Sequence, residues 1–120
     1  MSGTTTSRPR RLGHLLRREL APLLDELAQE QGLGLITITV IDVSPDLRNA
    51  KVLYTVLGNG DRDRVAGALS RAGGHLRHEL ARILALRRMP ELRFQYDESV
   101  ERGARLSRLI DQLGSGEEES

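Results

Sequence analysis

The chain predicts an α+β fold: a three-stranded sheet covered by helices on one face, plus a C-terminal helix. Three observations predict it. Three short runs alternate apolar with polar residues and carry β-branched or aromatic side chains, the pattern of half-buried strands. Two longer stretches, one before the strands and one between the second and third, repeat apolar residues at helical spacing. Finally, 120 residues suffice for one domain with its own core. With so few strands, the helices must cover one face of the sheet.

Residues 1–9 are polar and Ser/Thr-rich and read as a disordered basic tail. From Arg10 to about Gln31, Leu12, Leu15, Leu16, Leu20, Leu23, Leu24 and Leu27 follow helical spacing. Pro22 removes a backbone donor and crowds the preceding turn, which predicts a bend near Arg18 or a break into two helices. Gly32-Leu33-Gly34 ends the element. Leu35 to Val43 is a strand in which Ile36, Ile38 and Val40 alternate with Thr37 and Thr39. The Val40-Ile41 doublet then shifts the phase, and a β-bulge accounts for the slip. Ser44-Pro45-Asp46 is a turn. Ala50 to Leu57 is a second strand, antiparallel to the first, with Ala50, Val52, Tyr54 and Val56 on one face.

A loop at 58–61 leads to a helix from about Arg62 to Arg88, with Asp61 or Asp63 as N-cap. Its apolar residues are Val65, Leu69, Ala72, Leu76, Leu80 and Ile83, at steps of four, three, four, four and three. Gly73 and Gly74 interrupt it, each weakening a helix interior by ~1 kcal/mol relative to alanine. The apolar phase passes through them without a reset, which predicts a bent helix or two abutting helices. Arg87 and Arg88 suit its C-terminal dipole, and Pro90 stops it. Leu92 to Asp97 is a third strand. Ser99 to Leu113 is a helix whose stripe is Leu106, Leu109, Ile110 and Leu113, with Gly103 softening its start. Residues 114–120 read as a disordered acidic tail.

Net charge is only +1, but the distribution is uneven. Residues 1–20 hold five arginines and one acid, and residues 62–93 hold eight arginines and three acids. The acids Glu117-Glu118-Glu119 offset a basic domain, which points to a polyanionic partner. The absence of cysteine excludes disulfides and thiolate metal sites and suits a reducing cytosol. No apolar run reaches the ~20 residues of a membrane span, and the N-terminus has no signal-peptide pattern. A cytoplasmic, monomeric protein is expected. Tyr54, Phe94 and Tyr96 are the only aromatics, too few for a base-stacking platform.

On the long central helix, Arg64, Arg71, His75, His78 and Arg82 fall on one stripe opposite the apolar face, at about 100° per residue. A solvated polar face explains any one of them. All five beside a glycine pair fit an RNA-facing ridge, where glycine lets a backbone approach and arginine meets phosphate bidentately. The expected phosphate contacts are Arg71, His75, Arg77, His78 and Arg82, with Gly73 and Gly74 at the approach. Arg8, Arg10, Arg11, Arg87 and Arg88 form a second tier.

Four motifs in register resemble the ribosome-binding factor A family of bacteria. They are Val43-Ser44-Pro45-Asp46-Leu47-Arg48-Asn49-Ala50-Lys51-Val52; Ala72-Gly73-Gly74 followed by Leu76-Arg77; Leu86-Arg87-Arg88-x-Pro90-Glu91-Leu92-x-Phe94; and Asp97-x-Ser99 with Gly103. The match covers roughly residues 8–113. The resemblance implies a type II KH-like fold, α-β-β-α-kink-α-β, with a KH-like RNA-binding domain at 10–97 and a C-terminal helix at 98–113. In that family an Ala-x-Gly kink replaces the usual G-x-x-G loop. It implies that Ala72 packs inward and Gly74 supplies the bend. It also implies binding to the free small (30S) ribosomal subunit late in assembly, contact with 16S rRNA, help in processing its 5′ region, and importance for growth in the cold, without catalysis or cofactor. Pro22 and the short acidic C-terminus depart from the family pattern.

Other classes fit less well. His75 and His78 have the spacing of two metal ligands, but no acidic residue completes a set, so no metal is expected. No P-loop or dinucleotide fingerprint is present, and no small-molecule substrate is expected. A protein-interaction module, with the glycines serving helix packing, differs from an RNA binder in surviving charge reversal of the stripe. A generic single-strand KH binder lacks its G-x-x-G, so recognition of structured RNA through shape and phosphates fits better.

Overall fold

The computed structural model describes residues 2–58 and 60–119. Its elements are α1 (Ser2–Gln31), β1 (Leu35–Val43), β2 (Asn49–Leu57), α2 (Arg62–Leu84), β3 (Glu91–Tyr96) and α3 (Ser99–Glu119). The sheet order is β1-β2-β3. β1 and β2 pair antiparallel across the 44–48 turn, and β3 joins the other edge of β2 in parallel. A parallel neighbour needs a long crossover, and α2 supplies it.

The bulge lies where the register shifts between Ile38 and Val40: Ile38 faces Tyr54, Val40 faces Leu53, and Thr39 is the extra residue. Before it Ile36 and Ile38 point into the core; after it Val43 does, and Ile41 packs against the core edge. Val40 therefore turns outward and is 45% exposed, one residue earlier than the sequence doublet suggested. Arg17 holds the irregularity, donating to the carbonyls of Ile38 (3.0 Å) and Thr39 (3.4 Å).

α1 packs on β1, α2 on β3, and the two helices on each other, all on one face of the sheet. Leu16, Leu20, Leu24, Leu69 and Leu80 are fully buried between these layers. Burying each contributes about 1.5–3 kcal/mol. Gly34 (φ +80°) lets the chain cross beside Gly60: a Cβ there would sit 2.7 Å from the Leu57 carbonyl and the Gly60 nitrogen.

Several expectations change. α1 continues through Pro22 without a break and runs further toward the N-terminus than Arg10. Pro22 is exposed, so the Arg18 carbonyl that it leaves unbonded faces water. α2 is one helix, not two. Neither Gly73 nor Gly74 has a positive φ, and buried Leu69 on one side and Leu76 and Leu80 on the other hold the helix down. That burial outweighs the ~1 kcal/mol cost of each glycine. Ala72 packs against the core as expected.

α2 also ends at Leu84, four residues before the expected Arg88, because Ala85 takes a left-handed C-cap (φ 51°). Arg87 and Arg88 thus leave the helix for the connection to β3, and Ile83 is exposed while Ala68 is buried. α3 runs to Glu119, beyond the expected Leu113, and its stripe Leu106, Leu109, Ile110 and Leu113 is uncovered, 52–69% exposed. Met1, Asn59 and Ser120, within the expected tails and loop, lie outside the described residues.

Candidate nucleic-acid interface

Asp61 starts α2 by accepting from the backbone N–H groups of Asp63 (2.9 Å) and Arg64 (3.3 Å), which selects it over Asp63 as the N-cap. The helix then presents Arg71, Gly74, His75, Arg77, His78 and Arg82 to solvent. The stripe divides by what each side chain already holds. Arg64 donates to the carbonyls of Gln31 (2.7 Å) and Gly32 (3.2 Å), closing the C-terminus of α1. Arg82 pairs with Glu79 at 2.8 Å, which raises the Arg82 pKa and lowers that of Glu79. Arg82 is exposed and Glu79 half-buried, so water and salt still reach this pair and a phosphate can displace Glu79 from the guanidinium. Arg71, His75 and His78 have no hydrogen bond or ion pair within the described residues.

The glycine pair divides too. Gly74 is exposed and a Cβ there would meet nothing within 4 Å. Gly73 is half-buried and borders a cavity of about 280 Å³ between α2 and the sheet, with Tyr54, Leu69 and Phe94. A Cβ there also meets nothing within 4 Å. Packing inside the molecule therefore requires glycine at neither position.

A second surface lies where α1, the 44–48 turn and the 85–91 connection meet. Arg77 donates to the Met89 carbonyl at 2.9 Å, fastening the connection to α2. The Glu91 N–H donates to the Arg48 carbonyl at 2.8 Å, fastening the start of β3 to the turn. Within the turn, Asp46 accepts from the Ser44 hydroxyl (2.6 Å) and the Arg48 N–H (3.1 Å). The Ser44 hydroxyl, then the Arg48 N–H, hold the Asp46 carboxyl below its usual pKa. The result is a groove of about 630 Å³ with Arg8, Arg11, Arg48, Arg77 and Arg88 around it and Leu12, Leu15, Leu47, Leu86 and Met89 inside.

Four of the expected contacts thus meet in this groove: Arg8, Arg11, Arg77 and Arg88. Arg71, His75, His78 and Arg82 lie apart from it on α2, and Arg10 and Arg87 are exposed but do not line it. Arg48 joins the groove although no periodicity marks it, since it sits in a turn. Its only sequence signal is its place after Ser44-Pro45-Asp46-Leu47. At the far end of β3, Arg62 stacks on the Tyr96 ring (3.9 Å to the centroid) and bonds Glu98 at 2.6 Å. Among the described residues, no three His, Cys, Asp or Glu side chains gather as a metal set, and no helix is long and apolar enough to cross a membrane.

The sequence model of the family described as Ribosome-binding factor A matches residues 8–110. A Ribosome-binding factor A of Pseudomonas paraeruginosa is 46% identical over 108 residues, covering 88% of this chain and 84% of that protein. One from Nitrosococcus oceani is 47% identical over 106 residues, with 88% and 84% covered. The crystal structure of ribosome-binding factor A from Thermus thermophilus superposes with a TM-score of 0.65 at 30% identity, over 73% of this chain and 94% of that one. A homology model of the Thermus thermophilus ribosome binding factor A, fitted into the cryo-EM map of a 30S complex, gives 0.54 at 29% identity, over 70% and 93%.

Proposed function

Since the chain belongs to the ribosome-binding factor A family, we propose that it docks on the free small ribosomal subunit during late assembly, contacts 16S rRNA, and aids maturation of the RNA's 5′ region. It acts by binding, not by catalysis. The outer face of α2 is the contact: Arg71, His75, His78 and Arg82 meet phosphates, and the bare backbone at Gly74 admits close approach. Arg77 and Arg88 extend the contact into the groove with Arg8 and Arg11. Arg10 and Arg87, exposed beside it, add longer-range attraction.

One observation carries this reading. Gly74 sits exposed inside a helix, at a cost of ~1 kcal/mol, with nothing near it that a side chain would touch. An external backbone or ribose that must come close gives the position a reason. Arg71, His75 and His78, which make no hydrogen bond or ion pair among the described residues, surround it. Gly73, half-buried and turned toward the cavity, stands behind this contact.

Co-sedimentation tests the proposal. The protein should travel with free small subunits and not with complete ribosomes. If about six phosphates are neutralised, log affinity should fall with log salt at a slope of about −4 to −5. Arg71→Glu/Arg82→Glu should abolish the association. A flat salt response, or a preference for complete ribosomes, contradicts it.

A further inference from the structure

We infer that the groove between α1, the 44–48 turn and the 85–91 connection holds an unstacked nucleotide of single-stranded RNA, its base on the apolar floor and its phosphates on the arginine rim. The inference rests on the RNA docking proposed above and adds a ligand class to it.

The groove is unlike a solvated basic face. Its floor is aliphatic, with Leu12, Leu47, Leu86 and Met89 only half-buried. Its cations come from separate stretches of chain, so they surround the floor and do not line up along one helix. A double helix would offer such a site only sugars and phosphates, because its bases are stacked inward. An unstacked nucleotide offers a flat apolar base between two phosphates, which matches a floor between cations. The volume, about 630 Å³, lies within the range of small-ligand sites.

The charges agree. Two carboxylates, Asp46 and Glu91, share the lining. Asp46 is engaged by the Ser44 hydroxyl and the Arg48 N–H, so its charge is directed into the turn. Arg77 is held in place by the Met89 carbonyl, and a guanidinium so held keeps further N–H donors for a phosphate. Among the described residues no aromatic ring lines the groove, so the base rests on aliphatic carbon and guanidinium planes.

The test uses the full chain and a fluorescein-labelled six-nucleotide single-stranded RNA, read by anisotropy. Leu86→Ser removes floor without changing charge and should weaken binding about tenfold while leaving the salt slope unchanged. Met89→Gln is a second neutral variant should Leu86→Ser fold poorly. Arg88→Glu should weaken binding and flatten the slope, whereas Arg105→Glu, the same charge change on α3, should alter affinity less than twofold. Wild-type affinity in both neutral variants overturns the inference. So does equal competition by a duplex of the same sequence, or displacement of the RNA by poly-L-glutamate at matched charge, which would mark an acidic-peptide groove. Sedimentation of the unmodified protein with free small subunits is measured alongside. If that holds while the neutral variants bind the oligonucleotide normally, only the groove assignment fails. If it does not hold, the docking proposal fails.

Discussion

Replacing Gly74 of α2 with alanine should raise stability and weaken binding, whereas Gly73→Ala should raise stability alone. Gly73 and Gly74 are helical with no positive φ, and an added Cβ at either meets nothing within 4 Å. No steric term opposes the change, so the helix-propensity gain of ~1 kcal/mol should appear at each position. The double variant should gain ~2 kcal/mol, roughly a thirtyfold shift in the folding equilibrium. For a domain of this size that is a rise in Tm of about 4 °C per substitution. Gly73→Ala places its methyl beside the cavity with Tyr54 and Phe94, so it should stabilise at least as much as Gly74→Ala. Thermal and urea denaturation measure this part. Binding to free small subunits should then fall for Gly74→Ala, on the exposed side, and change little for Gly73→Ala. A lower Tm in either single variant would refute this propensity argument and show that the helix needs glycine there. Unchanged subunit affinity in Gly74→Ala would refute close approach of RNA at that point.

Three further outcomes are expected. Arg64→Ala should cost about 1 kcal/mol in urea unfolding, because the carbonyls of Gln31 and Gly32 lose their donor; its small-subunit affinity should stay near normal, since that side chain is already engaged. Leu20→Ala, at a fully buried position, should cost about 2–5 kcal/mol, seen as a lower urea midpoint at constant m-value. Asp97, just ahead of α3, accepts from the Ser99 hydroxyl (2.5 Å) and the Ser99 N–H (2.9 Å), contacts that, with Thr39, hold its pKa below the usual 3.8. A depressed folded pKa means that this contribution is complete above the unfolded value and disappears as pH falls through the folded one. Helicity followed by circular dichroism should therefore drop on acidification below about pH 4, and Asp97→Asn should remove that component.

Much of the fold was legible because its signals are local. The leucines of α1, the alternation of the strands and the phase slip near Val40 are periodic patterns, and each constrains backbone geometry within a few residues. Two local signals misled for the same reason. Pro22 and the glycine pair oppose helix in isolation, yet burial of Leu20 and Leu24, and of Leu69, Leu76 and Leu80, holds the helices continuous. Ala85 ended α2 early without any residue-type signal, since a left-handed alanine is not read from sequence.

By itself, the sequence determined the element order, the single buried face, the basic character and the family. It did so because periodicity, composition and the Ser44-Pro45-Asp46-Leu47 and Ala72-Gly73-Gly74 motifs are properties of neighbouring residues. Only the tertiary structure decided what each arginine does. Arg64, on the expected stripe, caps a helix 33 residues earlier in the chain, while Arg77 fastens a connection 12 residues later. Arg48, marked by no periodicity, shares a groove with Arg8 and Arg88. A guanidinium is a long reach from its backbone, and its partner is set by whichever carbonyls and carboxylates folding brings near. Helical phase states which way Arg64, Arg71 and Arg82 point; the fold states which of them remains available to RNA.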